Sequence, residues 1–133
     1  MSATEETSPY EIIGGLEALR RITDRFYDLM DADPAYAELR ALHAPDLAPM
    51  RRSLAEFLMG WTGGPRTWFE ARPGACMMSM HAKIPVTADT ARQWCEAMGR
   101  AIAEAGVDAT LAARMNEAFG RMSQGMRRDH PDA

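Results

Sequence analysis

His81 stands alone in the stretch from Met77 to Val86, MMSMHAKIPV, with three methionines close before it and Pro85 soon after. One imidazole in so apolar a run has two chemical readings. It is a core histidine whose ring nitrogens find backbone partners, or an axial ligand to a cofactor that needs only one protein donor. Zinc wants three or four ligands. Cys76, His81 and Cys95 are the only nearby candidates, and their spacing matches no zinc pattern. Nothing marks either cysteine as activated, and no phosphate loop, paired-carboxylate signature or nucleophile elbow occurs. Haem is different, because its pyrrole nitrogens already fill the equatorial plane of the iron and one histidine suffices. The porphyrin then needs an apolar slot. Eleven methionines would suit such a wall, and would equally suit any plastic helical core. On residue types alone both readings stand.

The elements that must position these residues are helical. Ser8-Pro9 forms a cap and first position for a short helix, Tyr10 to Ile13, stopped by Gly14-Gly15. Leu16, Leu19, Ile22, Phe26, Leu29 and Met30 then recur every three or four residues, ending near Asp33-Pro34. A short helical segment follows from Ala35 to Leu42. Asp46 is read as the cap of a helix with Leu47, Met50, Leu54, Phe57, Leu58 and Trp61 on one face, ended by Gly63-Gly64-Pro65. From Arg66 to Ala82 the pattern weakens, and this irregular stretch carries His81. Thr87 caps a long helix bearing Ala91, Trp94, Cys95, Met98 and Ile102, which Gly106 ends. Asp108 caps the last helix, with Leu111, Met115, Phe119, Met122 and Met126 aligned. Strand alternation is lacking, so the expected fold is all-α.

A length of 133 residues suits one domain, with 1–8 and 128–133 expected as flexible polar tails. A net charge of -4 argues against a nucleic-acid partner, because phosphate binding needs concentrated basic surface. No apolar run approaches the roughly 20 residues of a membrane span, and the acidic start MSATEETSPY lacks signal-peptide character. A cytoplasmic location is expected, with Cys76 and Cys95 as free thiols.

Longer stretches carry a resemblance. The segment PYEIIGGLEALRRITDRFYDLMDADPAYAELRALHAPDL resembles the start of a group II truncated haemoglobin. FLMGWTGGP resembles the end of that family's distal helix, and the histidine followed by AKIPVTADTARQW resembles its proximal histidine and next helix. The likeness runs from about residue 9 to 104 with spacing preserved. It implies a two-over-two helical sandwich that binds haem b. It places His81 at the proximal iron ligand, Tyr27 at the distal tyrosine and Trp94 at the tryptophan whose indole faces the distal pocket. His43 takes the site of an aromatic residue packing on the haem, and Met50 and Leu54 the two distal-helix positions. Met80 and Ile84, beside the histidine, are assigned to the pocket wall.

The resemblance further implies a diatomic gas ligand, O2 first, with NO, CO, peroxide or sulfide as alternatives. The expected role is O2 binding or delivery, or NO or peroxide detoxification, served by a reductase that the sequence does not identify. A monomer or weak homodimer is expected. One departure stands out. The family carries arginines just before the proximal histidine, which help hold the haem propionates. Here those positions read Met77, Met78, Ser79 and Met80, leaving Arg51, Arg52, Lys83 or Arg66 as substitutes. The alternative is a haem-free helical protein-interaction module, which the missing arginines favour and His81, Tyr27 and Trp94 oppose.

Overall fold

The computed structural model describes residues 8–74, 81 and 83–129. Ser8 opens α1 (Pro9–Ile13). Its hydroxyl accepts from the Glu11 N–H, and the Glu11 carboxylate accepts from the Ser8 N–H. This reciprocal pair satisfies two donors that the first helical turn leaves open. Gly14 then adopts a left-handed φ of 114°, which a side chain would resist, and the chain turns into α2 (Gly15–Ala32). The apolar stripe of α2 is buried as its spacing predicts, with Leu19, Ile22 and Phe26 fully enclosed.

A 3-10 turn (Pro34–Tyr36) and α3 (Ala37–Ala41) make up the segment expected over 35–42. The remaining helices are α4 (Ala48–Trp61), α5 (Thr67–Glu70), α6 (Ala88–Glu104) and α7 (Ala109–Gly125). Helix α2 packs on both α4 and α6, and α6 packs on α7. Two helix pairs therefore lie one over the other, the two-over-two arrangement that the resemblance implies. No strand occurs among the described residues. Thr87 and Asp108 cap α6 and α7 through their side chains, as expected.

Two expectations need correction. Asp46 does not occupy the cap of α4. Leu47 holds that position, and the Asp46 carboxylate accepts from the Ala48 N–H at 3.0 Å. Pro49 sits in the first turn, where its missing N–H costs nothing. The stretch after Pro65 is not wholly irregular, because α5 forms there. Its Trp68 and Phe69 pack on Phe57 with ring centres 5.2 and 5.4 Å apart, an anchor too short to show as periodicity. The polar end is also held where it is described: Arg128 N–H donates to the Val86 carbonyl at 2.7 Å, and Asp129 accepts from the Ala88 N–H at 3.0 Å. The rest of both expected tails, residues 1–7 and 130–133, lies outside the described residues.

Candidate functional site

A cavity of about 290 Å³ opens between the helix pairs. Tyr27 from α2, Met50 and Leu54 from α4, and Trp94 from α6 all line it. His43, just past α3, and His81 and Ile84, in the loop before α6, line it too. The fold thus gathers onto one cavity seven residues that lie between positions 27 and 94 of the sequence. Met80, also assigned to the wall, and Cys76 lie outside the described residues. Cys95 is away from the cavity, its sulfur 3.3 Å from the Ser123 hydroxyl.

Each polar group is held by identifiable packing. Phe26 meets Tyr27 and Trp94 edge-on, with ring centres 4.8 and 5.1 Å apart. Phe119, on the neighbouring α7, meets Trp94 at 5.2 Å. Such edge contacts suit the charge distribution of aromatic rings and fix their orientation. Tyr27 is 2% exposed, and burial pushes its phenol pKa well above the ordinary value, with Arg51 opposing in part. The hydroxyl therefore stays protonated and able to donate. Neither the Tyr27 hydroxyl nor the Trp94 indole N–H has a hydrogen-bond acceptor among the described residues, and neither is sealed off without a partner. Both are donors left available to whatever fills the cavity.

His43 is pinned differently. Its Nδ1 lies 2.9 Å from the Leu39 carbonyl, so Nδ1 carries the proton and donates, leaving Nε2 as an acceptor. Burial, opposed by that hydrogen bond, lowers its pKa. The imidazole is neutral and stands edge-on to Tyr27 at 5.9 Å. Around His81 the backbone makes a tight turn: the Ile84 N–H donates to the His81 carbonyl at 3.1 Å and the Val86 N–H to the Ile84 carbonyl at 2.8 Å. Thr87 then starts α6. Met50 is 40% exposed, which places it at the mouth of the cavity rather than deep within.

Sequence reading missed several wall residues. Phe57 and Leu58 lie seven and eight positions after Met50, on the same helical face, so their part in the wall was open to inference. Trp68 was not, because α5 carries no periodic signal. Phe119 and Met122 stood on a recognised stripe, but only packing turns that stripe toward the cavity.

The bacterial-like globin family pattern matches residues 8–128, and the chain belongs to that family. Its backbone is similar to that of a cold-adapted truncated haemoglobin from Pseudoalteromonas haloplanktis, with a TM-score of 0.89 and 28% identity over 93% of this chain and 100% of the other. It is equally similar to a group II 2-on-2 haemoglobin from Agrobacterium tumefaciens, with a TM-score of 0.89 and 29% identity over 96% and 98% of the two chains. The haemoglobin of Chloroflexus aurantiacus is 36% identical, with a TM-score of 0.83 over 92% and 99%. The protein is a haem-binding globin of the truncated type, and its cofactor is haem b. The haem-free interaction module is set aside.

The residues present fit that group. The cavity wall is built largely from leucine, methionine and aromatic side chains, with the imidazoles of His43 and His81 among them. Among the described residues no cluster of three or more His, Cys, Asp or Glu is placed to hold a bare metal ion, whereas haem asks for only one such ligand. No described helix is long and apolar enough to cross a membrane.

Proposed function

We propose that the protein binds O2 reversibly, as one domain carrying one haem b, with His81 as the residue that would hold its iron. Haem b would supply the iron that takes up a diatomic gas. The observation that carries the proposal is a pair of donors without an acceptor among the described residues, the Tyr27 hydroxyl and the Trp94 indole N–H, on the wall of one apolar cavity. Both donate to the gas ligand. In a site from which water is largely excluded such hydrogen bonds strengthen, and they favour a ligand with partial negative charge on its outer atom, as O2 has and CO lacks. Met50 and Leu54 add no donor, so the distal hydrogen bonding rests on Tyr27 and Trp94. His43, neutral and with its proton committed to Leu39, presents an acceptor. That supports the orientation of the Tyr27 ring rather than a third donation.

NO and peroxide would fit the same cavity, and turnover of either needs an electron source, a reductase for NO dioxygenation and a reducing co-substrate for peroxide. O2 binding needs none within a single cycle, and it is the reading the donor pair supports best. The test is a spectral cycle on the haem-loaded ferrous protein. Exposure to O2 followed by its removal is expected to give an oxygenated spectrum and then return the starting one. Immediate conversion to the ferric form, with no oxygenated species seen on the stopped-flow timescale, would remove reversible O2 binding and leave redox chemistry.

A further inference from the structure

The family's propionate-binding arginines are absent, and the structure offers a different set of groups. Of the substitutes named from sequence, Arg51 is engaged elsewhere. Its guanidinium bonds Asp28 at 2.8 Å and Asp24 at 3.3 Å and lies 5.9 Å from the Tyr27 ring. Arg66 lies against the Phe69 ring at 4.4 Å. Arg52 lies two positions beyond Met50 on α4, which by helical geometry turns it away from the face that Met50, Leu54 and Phe57 share. Lys83 is exposed and adjoins Ile84.

One arginine that the sequence reading passed over is better placed. Arg72 follows α5, and its guanidinium sits 4.6 Å from the centre of the Trp68 ring. One of its N–H groups donates to the Trp68 carbonyl at 3.1 Å. No carboxylate pairs with it among the described residues, and its one hydrogen bond among them is the one to Trp68. Trp68 lines the cavity, and its indole N–H donates to the Ser53 hydroxyl at 3.1 Å. Ser53 lines the cavity as well. Its oxygen accepts from Trp68, so its own proton is free to point elsewhere. Ser53 and Arg72 are each only half-buried, while Trp68, which both of them touch, is buried on the cavity wall. A planar guanidinium fixed by stacking and a carbonyl bond, and a hydroxyl with its proton to give, both joined to one tryptophan, are the donor types that bind a carboxylate.

We propose that Ser53 and Arg72, aligned on Trp68, hold a haem propionate in place of the missing arginines. This rests on haem binding as described and adds the groups that retain it. Trp68 is the positioning residue. It fixes the serine through its indole nitrogen and the guanidinium through its ring and carbonyl.

The test compares haem b with its dimethyl ester, in which both propionates are uncharged. Each is loaded into wild type, Arg72→Gln, Ser53→Ala, and Arg66→Gln as a charge-matched control, and haem loss to excess apo-globin is timed. Arg72→Gln is expected to speed the loss of haem b about tenfold, the size of one charge-assisted hydrogen bond, and Ser53→Ala by a smaller factor. Arg66→Gln should change little. With the dimethyl ester all four proteins should release at similar rates. Arg72→Lys keeps the charge without the planar stack and should fall between wild type and Arg72→Gln, which guards against a folding defect in the glutamine variant. Equal acceleration of haem b and its ester by Arg72→Gln would make the arginine a packing residue and overturn the proposal. No acceleration of either would do the same. Failure of wild type to give a Soret band with either haem would instead overturn haem binding itself.

Discussion

The Tyr27 hydroxyl and the Trp94 indole N–H reach the cavity from different helices, and under the proposed function they would share one small acceptor, the bound O2. A hydrogen bond to a partly charged group is worth about 1.5–3 kcal/mol, or roughly tenfold to hundredfold in an off-rate. Tyr27→Phe and Trp94→Phe should each speed O2 dissociation by about that factor. CO dissociation should change far less. The double mutant should fall short of the product of the singles, because the remaining donor can reorient. Stopped-flow off-rates for both gases read all of this, and equal response of O2 and CO would assign the two residues to packing instead. His81→Ala should lose the axial nitrogen and release haem, with added imidazole restoring a ligated spectrum. His43→Ala and His130→Ala should keep wild-type coordination. A normal five-coordinate ferrous spectrum in His81→Ala would remove His81 as the ligand. His43 also makes a pH prediction. Burial holds its folded-state pKa below the ordinary 6.5, so the unfolded chain takes up its proton first as the pH falls. The folded state is then the one that binds fewer protons, and stability declines with falling pH below 6.5 until the lowered pKa is passed. His43→Phe should flatten that part of the curve. Thermal melts of both proteins between about pH 7 and 5 give the difference, in which the groups they share cancel.

At the scale of elements, the wall around the cavity depends on how α3 meets α6. Gln93, 3% exposed, uses both ends of its amide there. Its oxygen accepts from the Leu39 N–H at 3.1 Å, and its nitrogen donates to Glu38 at 3.0 Å. The Leu39 carbonyl in turn receives the His43 ring proton, and Trp94 follows Gln93 directly on α6. One buried amide therefore sets two wall residues from two helices. Gln93→Leu keeps the volume but orphans the Leu39 N–H, and should cost about 1–3 kcal/mol in denaturant unfolding. A second close approach joins α1 to the end of α4. A Cβ at Gly64 would stand 2.7 Å from the Tyr10 ring, and Tyr10 N–H donates to the Thr62 carbonyl at 2.9 Å. The glycine stop read from sequence is thus also a seat for the first helix. Surface ion pairs between elements, such as Arg25 with Glu104 at 2.7 Å, have both partners nearly half exposed and contribute little.

Across the whole molecule, the cavity is a cost until it is filled. Apolar walls facing one another without a partner lose the dispersion contacts that a packed core makes. The haem restores them and binds the folded chain alone, so it should stabilise by mass action. At free haem one hundredfold above the dissociation constant this is about 2.7 kcal/mol. Removing haem should therefore lower Tm by several degrees, and the loss should be larger for Arg72→Gln than for wild type at equal limiting haem. An unchanged Tm on haem removal would mean that the cavity is rigid and stable without its cofactor.

Helix placement was legible from the chain alone because it depends on local terms. The stripes of α2, α4, α6 and α7 recur every three or four residues, and the Ser8, Thr87 and Asp108 caps are visible as residue types at fixed offsets from those stripes. The candidate site was legible only through resemblance. A lone His81 in an apolar run fits a core histidine as well as a ligand, and nothing local tells the two apart. Tertiary structure decided which stripe faces the cavity, where His43 sends its proton, and that Arg51 is taken up by Asp24 and Asp28. It also brought Arg72, Trp68 and Ser53 together. Those outcomes depend on distances between residues far apart in sequence, and periodicity within one helix carries no information about them.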